Sequence, residues 1–492
     1  MKTKKILAGI LSAALLCQPA AASVYCAEKN SSKTLAGDVN NDGRFNIADI
    51  LSLKKWLVGD GELLNKDNAD FYEDGQVDIF DLCLMQNELI ESLSIPSPLY
   101  KSRNLCADYE TAQIDPVKID EDFVLGQTKF SLDFLQHSLK QDGNTLISPY
   151  SATRALAMTA NGAKGKTLEE MENVLCGGVS IDKLNEYIYS QTNQLTAPSP
   201  YDSSSLNDAN SIWVRPDINI APDFIEKNVS YFDSQIFTSP MDKSTVNDVN
   251  QWVNIQTHEM IPELLDPEQF NDSGLLTMLL VNALAFEGQW ADEFGNAVND
   301  KFTAYNGNIQ NAEMMSSREN VFLKDDKAKG FVKDYLGNYY FAALLPDEGI
   351  TVDEYISGLD AESLHSILSN KNYKSVDISM PKFSFDDSRL MKDMLIDMGM
   401  PTAFDADYAD FTGMTTDNYP MSIDEVLQKT HIEVDEKGTR AAAATVVMMK
   451  ETGCIEYEEP EVVRLDRPFV FAIVDSRTDI PIFMGTVKTL NK

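Results

Sequence analysis

The chain has 492 residues, too many for one ordinary domain, and 43% are hydrophobic, which excludes wholesale disorder and allows a large core. Acidic residues outnumber basic ones 77 to 41, a formal charge of −36, which excludes the basic face that nucleic-acid binding needs. The six cysteines, Cys17, Cys26, Cys83, Cys106, Cys176 and Cys454, are scattered without a C-x-x-C pair, which argues against a disulfide framework or a zinc site.

Residues 1–22 have the form of a secretory signal peptide. Lys2, Lys4 and Lys5 precede an apolar run from Ile6 to Leu16, too short to span a bilayer, and Ala20, Ala21 and Ala22 offer small residues for cleavage. No other stretch is long and apolar enough for a membrane helix, so a secreted, extracellular protein without a membrane partner is expected.

Residues 33–94 contain an internal repeat of two acidic loops, 38–49 and 70–81, whose starts lie 32 positions apart. In the first, Asp38, Asn40, Asp42, Asn46 and Asp49 supply oxygen donors around Gly43, and the carbonyl of Arg44 can add another. In the second, Asp70, Asp74, Asp78 and Asp81 surround Gly75, with the carbonyl of Gln76. Calcium takes six to eight oxygen ligands, and the glycine permits the turn that aims them inward. Two Ca2+ sites are therefore expected, the second weaker because Tyr72 replaces an oxygen-bearing residue. Apolar residues at helical spacing follow each loop, Ile50, Leu53 and Leu57, then Leu82, Met85 and Leu89. Two polar turns capping two helices is the plainer reading, and the repetition of the frame argues against it.

Two calcium loops that each feed one helix resemble a type I-like dockerin, a small all-α module that docks onto cohesin domains of scaffold proteins. The resemblance implies a cohesin-bearing partner, as in a cellulosome, with Ile47, Ala48, Ile79 and Phe80 facing it and Lys54 and Lys55 assisting. Gln86 and Asn87 replace the basic pair in the second repeat.

Residues 95–119 carry Pro96, Pro98 and Pro116 without periodicity and read as a linker. From 120 to 492 the chain is one mixed unit. Residues 123–139 and 153–158 have helical period, whereas 339–345, 376–385, 469–474 and 482–487 alternate as strands. There is no strict strand–helix alternation, so the class is α+β.

The most informative segment of this unit is Glu436, Gly438, Thr439 and the alanines 441–444 up to Thr445. Alanine runs favour helix, but here the run follows strand-like residues 430–434. As a strand, one face carries Thr439, Ala441, Ala443, Thr445, Val447 and Met449, all small or apolar, and Arg440 and Lys450 fall on the other. Glu451 is the one misfit, at the far end of the burying face. Such a segment can enter a sheet.

This segment resembles the hinge of an inhibitory serpin. Ser148, Pro149 and Ser151 in the stretch 144–151, Asn161 to Gly165, Asn282 and Trp290 in the stretch 280–294, Met380 to Phe383, and Arg467 to Gly485 agree with that family in order. The resemblance covers about residues 120–490. It implies a five-stranded main sheet, an exposed reactive-centre loop, and a shutter and breach formed by Ser148, Pro149, Ser151, Asn282, Trp290 and Gln428. Gln428 stands where many serpins carry histidine. The implied function is covalent trapping of a serine or cysteine protease by loop insertion, in a monomer that supplies no catalytic group. Counting from the hinge glutamate puts the reactive bond at Thr452–Gly453. A slipped count gives Lys450–Glu451, because the loop from Glu436 to Pro468 is long.

Two rivals follow. An enzyme would need a catalytic constellation, but His137, His258, His365 and His431 lack metal spacing, and no G-x-S-x-G or phosphate loop occurs. A non-inhibitory serpin-fold binding protein would carry bulky, charged or proline residues in the hinge, and this hinge does not.

Overall fold

The structure, a computed structural model, describes residues 37–490 except 38, 41–44, 46, 58, 60, 62, 72–74, 94–100, 108, 198–203, 268–269, 271–275 and 440–458. The expected signal peptide, and Cys17, Cys26 and Cys454, lie outside the described residues. The chain divides into two compact units, Met1–Leu99 and Tyr100–Lys492.

The first unit carries two helices, α1 (Ile47–Leu57) and α2 (Ile79–Leu93). Asp49 sits in the first turn of α1 and Lys54 and Lys55 in its last, each favourable to the helix dipole. The helical spacing anticipated from the sequence puts Ile50 and Leu53 against Leu82 and Met85, with Val39 and Ala69, in a small core.

The second unit is α+β. Its described residues form the helices α3 (Glu121–Ser138), α4 (Pro149–Ala160), α5 (Gly165–Cys176), α6 (Ile181–Leu195), α7 (Pro222–Phe232), α8 (Lys243–Gln256), α9 (Val352–Ser357), α10 (Ala361–Ser369) and α11 (Lys392–Asp397). The strands are β1 (Arg103–Asn104), β2 (Thr145–Ile147), β3 (Ser205–Val214), β4 (Gln235–Thr238), β5 (Met278–Gln289), β6 (Val298–Thr303), β7 (Ile309–Glu319), β8 (Val321–Lys324), β9 (Ala328–Asp334), β10 (Tyr339–Pro346), β11 (Val376–Pro381), β12 (Phe383–Leu390), β13 (Glu425–Val434), β14 (Gly438–Thr439), β15 (Glu461–Arg464), β16 (Phe469–Asp475) and β17 (Pro481–Val487).

They form three sheets. The main one has the order β1-β4-β3-β5-β14-β13-β12, a second runs β2-β17-β16-β10-β9-β8, and a third β15-β11-β7-β6. The sequence leads to the expectation of five strands; among the described residues the main sheet has seven, five of four to twelve residues and two of only two residues. One of the two short strands is β14, wedged between β5 and β13. The other is β1 at the edge. Edge strands leave unpaired backbone groups, and residues expected to belong to a linker cover these: Arg103 pairs with Thr238 and Asn104 with Phe237. The amide and hydroxyl of Ser102 donate to Asp248 on α8 at 2.8 and 2.6 Å, and Val117 N–H donates to Ser190 on α6 at 2.8 Å.

Helix α4 runs through the middle with every residue buried. Ser148 caps it, Pro149 takes the first-turn position that needs no N–H, and its alanines allow close packing. On the opposite face of the main sheet, α8 packs Val249, Trp252 and Val253 against Trp213, Phe237, Leu279, Val281 and Leu427. Two free thiols are buried in this unit, and burial pushes Cys106 up to about 11 and Cys176 up to about 12, which makes them unreactive. No helix among the described residues is long and apolar enough to cross a membrane.

Candidate functional site

The site is the seam between β5 and β13. These strands pair directly and in parallel from Leu279 with Glu425 to Leu284 with Thr430. Above that point they part, and β14 enters. Thr439 pairs with Gly288 of β5 and with Val434 of β13, antiparallel to both.

At this open end Thr439 is 2% exposed, and its hydroxyl lies 2.6 Å from the Tyr335 hydroxyl. Burial raises the Tyr335 phenol far above its ordinary value, so it stays neutral, while the Thr439 bond works against the rise. The Trp290 ring stacks on Tyr335 at 4.3 Å, its Nε1 donates to the Asp435 carbonyl at 2.9 Å, and its backbone N–H donates to the Lys437 carbonyl at 2.9 Å. Asp435 turns the chain by accepting from Lys437 N–H at 2.7 Å and Gly438 N–H at 3.1 Å. Gly438 is required by close approach: a Cβ there would lie 2.1 Å from the Gly288 carbonyl oxygen. Glu436 pairs with Lys382 at 2.7 Å. Burial opposes ionisation of Glu436, but the Lys382 ammonium outweighs it and holds the carboxyl below its ordinary value. The same contact raises Lys382. Buried Lys333 lies 4.3 Å from the Phe294 ring centre and pairs with Glu319 at 2.6 Å, supporting Trp290 from behind.

Midway down the seam lies a polar cluster in an otherwise apolar core. Gln428 Oε1 accepts from Ser148 N–H at 3.1 Å, and its Nε2 donates to the Ser148 carbonyl at 2.9 Å and to Asn282 Oδ1 at 3.0 Å. Asn282 Nδ2 donates to Ser151 Oγ at 2.6 Å and to Asn210 Oδ1 at 2.8 Å. A buried amide offers a donor and an acceptor at once, so Gln428 satisfies both backbone groups of Ser148 and still reaches across the seam.

The structure thus brings Ser148, Ser151, Asn282 and Gln428 together. It puts Trp290, Glu436, Gly438 and Thr439 at the open end and Pro149 in the first turn of α4. Ala441, Ala443, Thr445, Thr452 and Gly453 lie outside the described residues. Sequence reading missed Tyr335, Lys382, Asn210, Asp208 and Arg154. Arg154 alone gave a signal, as a charge inside the small apolar run 152–158.

In the first unit, Asp38, Asp42, Arg44, Asn46 and Asp74 lie outside the described residues. Asp49 is buried and accepts from the N–H groups of Val39 at 3.0 Å and Asn40 at 3.1 Å. Asp81, equally buried, accepts from Asp78 N–H at 2.8 Å, and Asp70 accepts from Gly75 N–H at 2.9 Å. Gln76 is exposed. Asp49 and Asp81 are the buried carboxylates of the two loops, and among the described residues no group of three or more acidic, histidine or cysteine side chains comes together as a metal site. Phe80 is 66% and Leu51 50% exposed, Lys54 and Lys55 are exposed, and Ala48 and Ile79 are half-buried. Ile47 begins α1.

A family model described as serpin, serine protease inhibitor, matches residues 125–490. The chain belongs to the serpin family. A second match, to the dockerin type I domain, covers residues 36–90. The serpin is 28% identical to an uncharacterised serpin-like protein of Thermococcus kodakarensis over 82% of this chain and 94% of that one. It is 29% identical to human Serpin B4 over 73% and 97%. Among solved structures, the thermophilic serpin Tengpin in its native state matches with a TM-score of 0.72 and 38% identity, covering 79% of this chain and all of that one. Serpins are in general protease inhibitors rather than enzymes, and the dockerin implies a cohesin partner and an extracellular, cellulosome-type assembly.

Proposed function

We propose that this serpin is a secreted inhibitor that traps a serine or cysteine protease covalently, and that its dockerin holds it, with calcium, on a cohesin-bearing scaffold. The observation that carries the reading is β14: the hinge already occupies the first position of a strand between β5 and β13. Continuing its register residue by residue sets Ala441 opposite Phe286 and Ile432, and Thr445 opposite Asn282 and Gln428. The strands end at Met278 and Glu425, opposite Met449 and Met448, so Lys450 to Thr452 fall just past the sheet. That supports Thr452–Gly453 as the bond.

In this mechanism the protease hydroxyl or thiol adds to the Thr452 carbonyl. The bond to Gly453 breaks, its nitrogen leaves with a proton from the protease's base, and an ester or thioester joins Thr452 to the protease. The freed hinge continues into the sheet with its small face inward, and inserted backbone gains two neighbours. The fourteen residues from Thr439 to Thr452 span thirteen extended steps, which carry the bound protease roughly 40 Å at the usual rise per residue. Asp38, Asn40, Asp42, Asn46 and Asp49 in the first loop and Asp70, Asp74, Asp78 and Asp81 in the second would hold calcium, which would fix the loops that start α1 and α2.

Incubation with a panel of proteases should give a detergent-stable complex and release a fragment beginning at Gly453. Thr439→Arg puts a charge at the first buried position and should convert the inhibitor into a substrate. An undiminished yield of complex from that variant would refute loop insertion.

A further inference from the structure

The residues that fasten the main sheet to α4 divide into two groups. On the β13 side, Gln428 bonds Ser148, and Thr430 Oγ1 donates to the Leu146 carbonyl at 3.2 Å. Asp387 of β12, fully buried, accepts from Leu146 N–H at 3.0 Å and pairs with Lys140 and Arg389. This half is therefore bound to β2 and, through β17, to the second sheet.

The other half is the stretch 205–289, holding β3, α7, β4, α8 and β5, with β1 paired to its edge. Arg154 of α4 grips it twice. Its Nε lies 2.5 Å from Asp208 Oδ2 on β3, and its Nη2 donates to the Phe232 carbonyl at the end of α7 at 2.8 Å. Its Nη1 donates to Thr192 Oγ1 on α6 at 2.6 Å, and its side chain is only 6% exposed. Asp208 Oδ1 in turn accepts from Ser151 at 3.1 Å and Asn210 at 2.5 Å, which joins the ion pair to the polar cluster at Asn282.

Ser148 and Ser151 occupy one turn of one helix, so α4 holds both halves at once. A strand entering between Asn282 and Gln428 needs about 4.8 Å of width. A rigid helix cannot follow both halves, and a 2.5 Å ion pair cannot stretch that far. The β12–β13 half is anchored by a carboxylate with two cations and by the second sheet, so 205–289 is the half that must slide. We infer that the Arg154–Asp208 pair is a positioning latch, made in the closed sheet and released when the loop enters, that sets how long the inhibitor stays poised. This rests on the loop-insertion reading above and adds to it a determinant of its rate.

The test uses the full chain and follows spontaneous loss of inhibitory activity on incubation, together with thermal midpoints of the native and loop-cleaved forms. Asp208→Asn should speed conversion by about ten- to a hundredfold, the range expected for one charge-assisted bond, and leave the cleaved midpoint unchanged. Asp208→Glu, which keeps the charge, should stay within about threefold of the parent, a smaller change than loss of that bond would give. The double variant R154M/D208L removes both buried charges, a change that folds tolerate, and should convert as fast as Asp208→Asn. Conversion at the parental rate in the double variant, or equal destabilisation of native and cleaved forms, overturns the latch. If cleavage of the parent itself raises no midpoint, it is the insertion reading that fails.

Discussion

Gln428 is the residue where this serpin departs from the pattern its sequence resembles, and its geometry gives the departure a consequence. The amide accepts from Ser148 N–H while donating to the Ser148 carbonyl and to Asn282. An amide does not titrate, so Gln428 itself adds no pH dependence to the seam; a titrating group of the cluster is Asp208, whose carboxyl is raised above its ordinary value by burial. In Gln428→His a neutral ring could keep one acceptor, but protonation turns both ring nitrogens into donors. Ser148 N–H would then lose its partner, a penalty of about 1–3 kcal/mol for a buried group. The variant should therefore convert to the inserted form faster than the parent as pH falls through the histidine range, where Gln428 gains no charge. A variant profile that only follows the parent's would mean that Ser148 finds another acceptor.

At the scale of elements, the described part of β14 is Gly438 and Thr439, seated where β5 and β13 diverge. Its place depends on the missing side chain of Gly438, where a Cβ would meet the Gly288 carbonyl at 2.1 Å and the Gln289 Cα at 3.0 Å. Both are backbone atoms of a paired strand and cannot rotate away. Gly438→Ala should cost the seated hinge about 1–3 kcal/mol of overpacking and break the Thr439–Tyr335 bond. Limited proteolysis should then cut the hinge more readily, and a larger share of the inhibitor should emerge cleaved but uncomplexed. Unaltered stoichiometry would show that entry does not begin at β14. Helix α4 makes the complementary point: its small residues let it lie under the seam, and Arg154, the one charge among residues 152–158, finds Asp208 there.

Over the whole molecule, the two compact units have very different cores. The first has only six fully buried apolar side chains among its described residues, so metal binding should supply much of its folding energy. Chelation of calcium should unfold residues 36–90 and abolish cohesin binding, while protease trapping persists. Calorimetric titration should show a weaker second site because of Tyr72. Loss of trapping on chelation would contradict independence of the units. The sequence by itself determined the repeated acidic frames, the strand-like hinge with its small face, and the family, because loop chemistry and side-chain alternation are local and survive in linear order. It placed Ser148, Ser151, Asn282 and Gln428 in one cluster only through resemblance. Which atoms meet there, across 280 positions from Ser148 to Gln428, was decided by the tertiary structure. So was the attachment of residues 103–105 to the sheet edge, where unpaired backbone of β4 recruited a segment with no periodicity of its own. The Arg154–Asp208 pair belongs to the same class: a buried charge advertises the need for a partner, but only the packing of β3 against α4 supplies one.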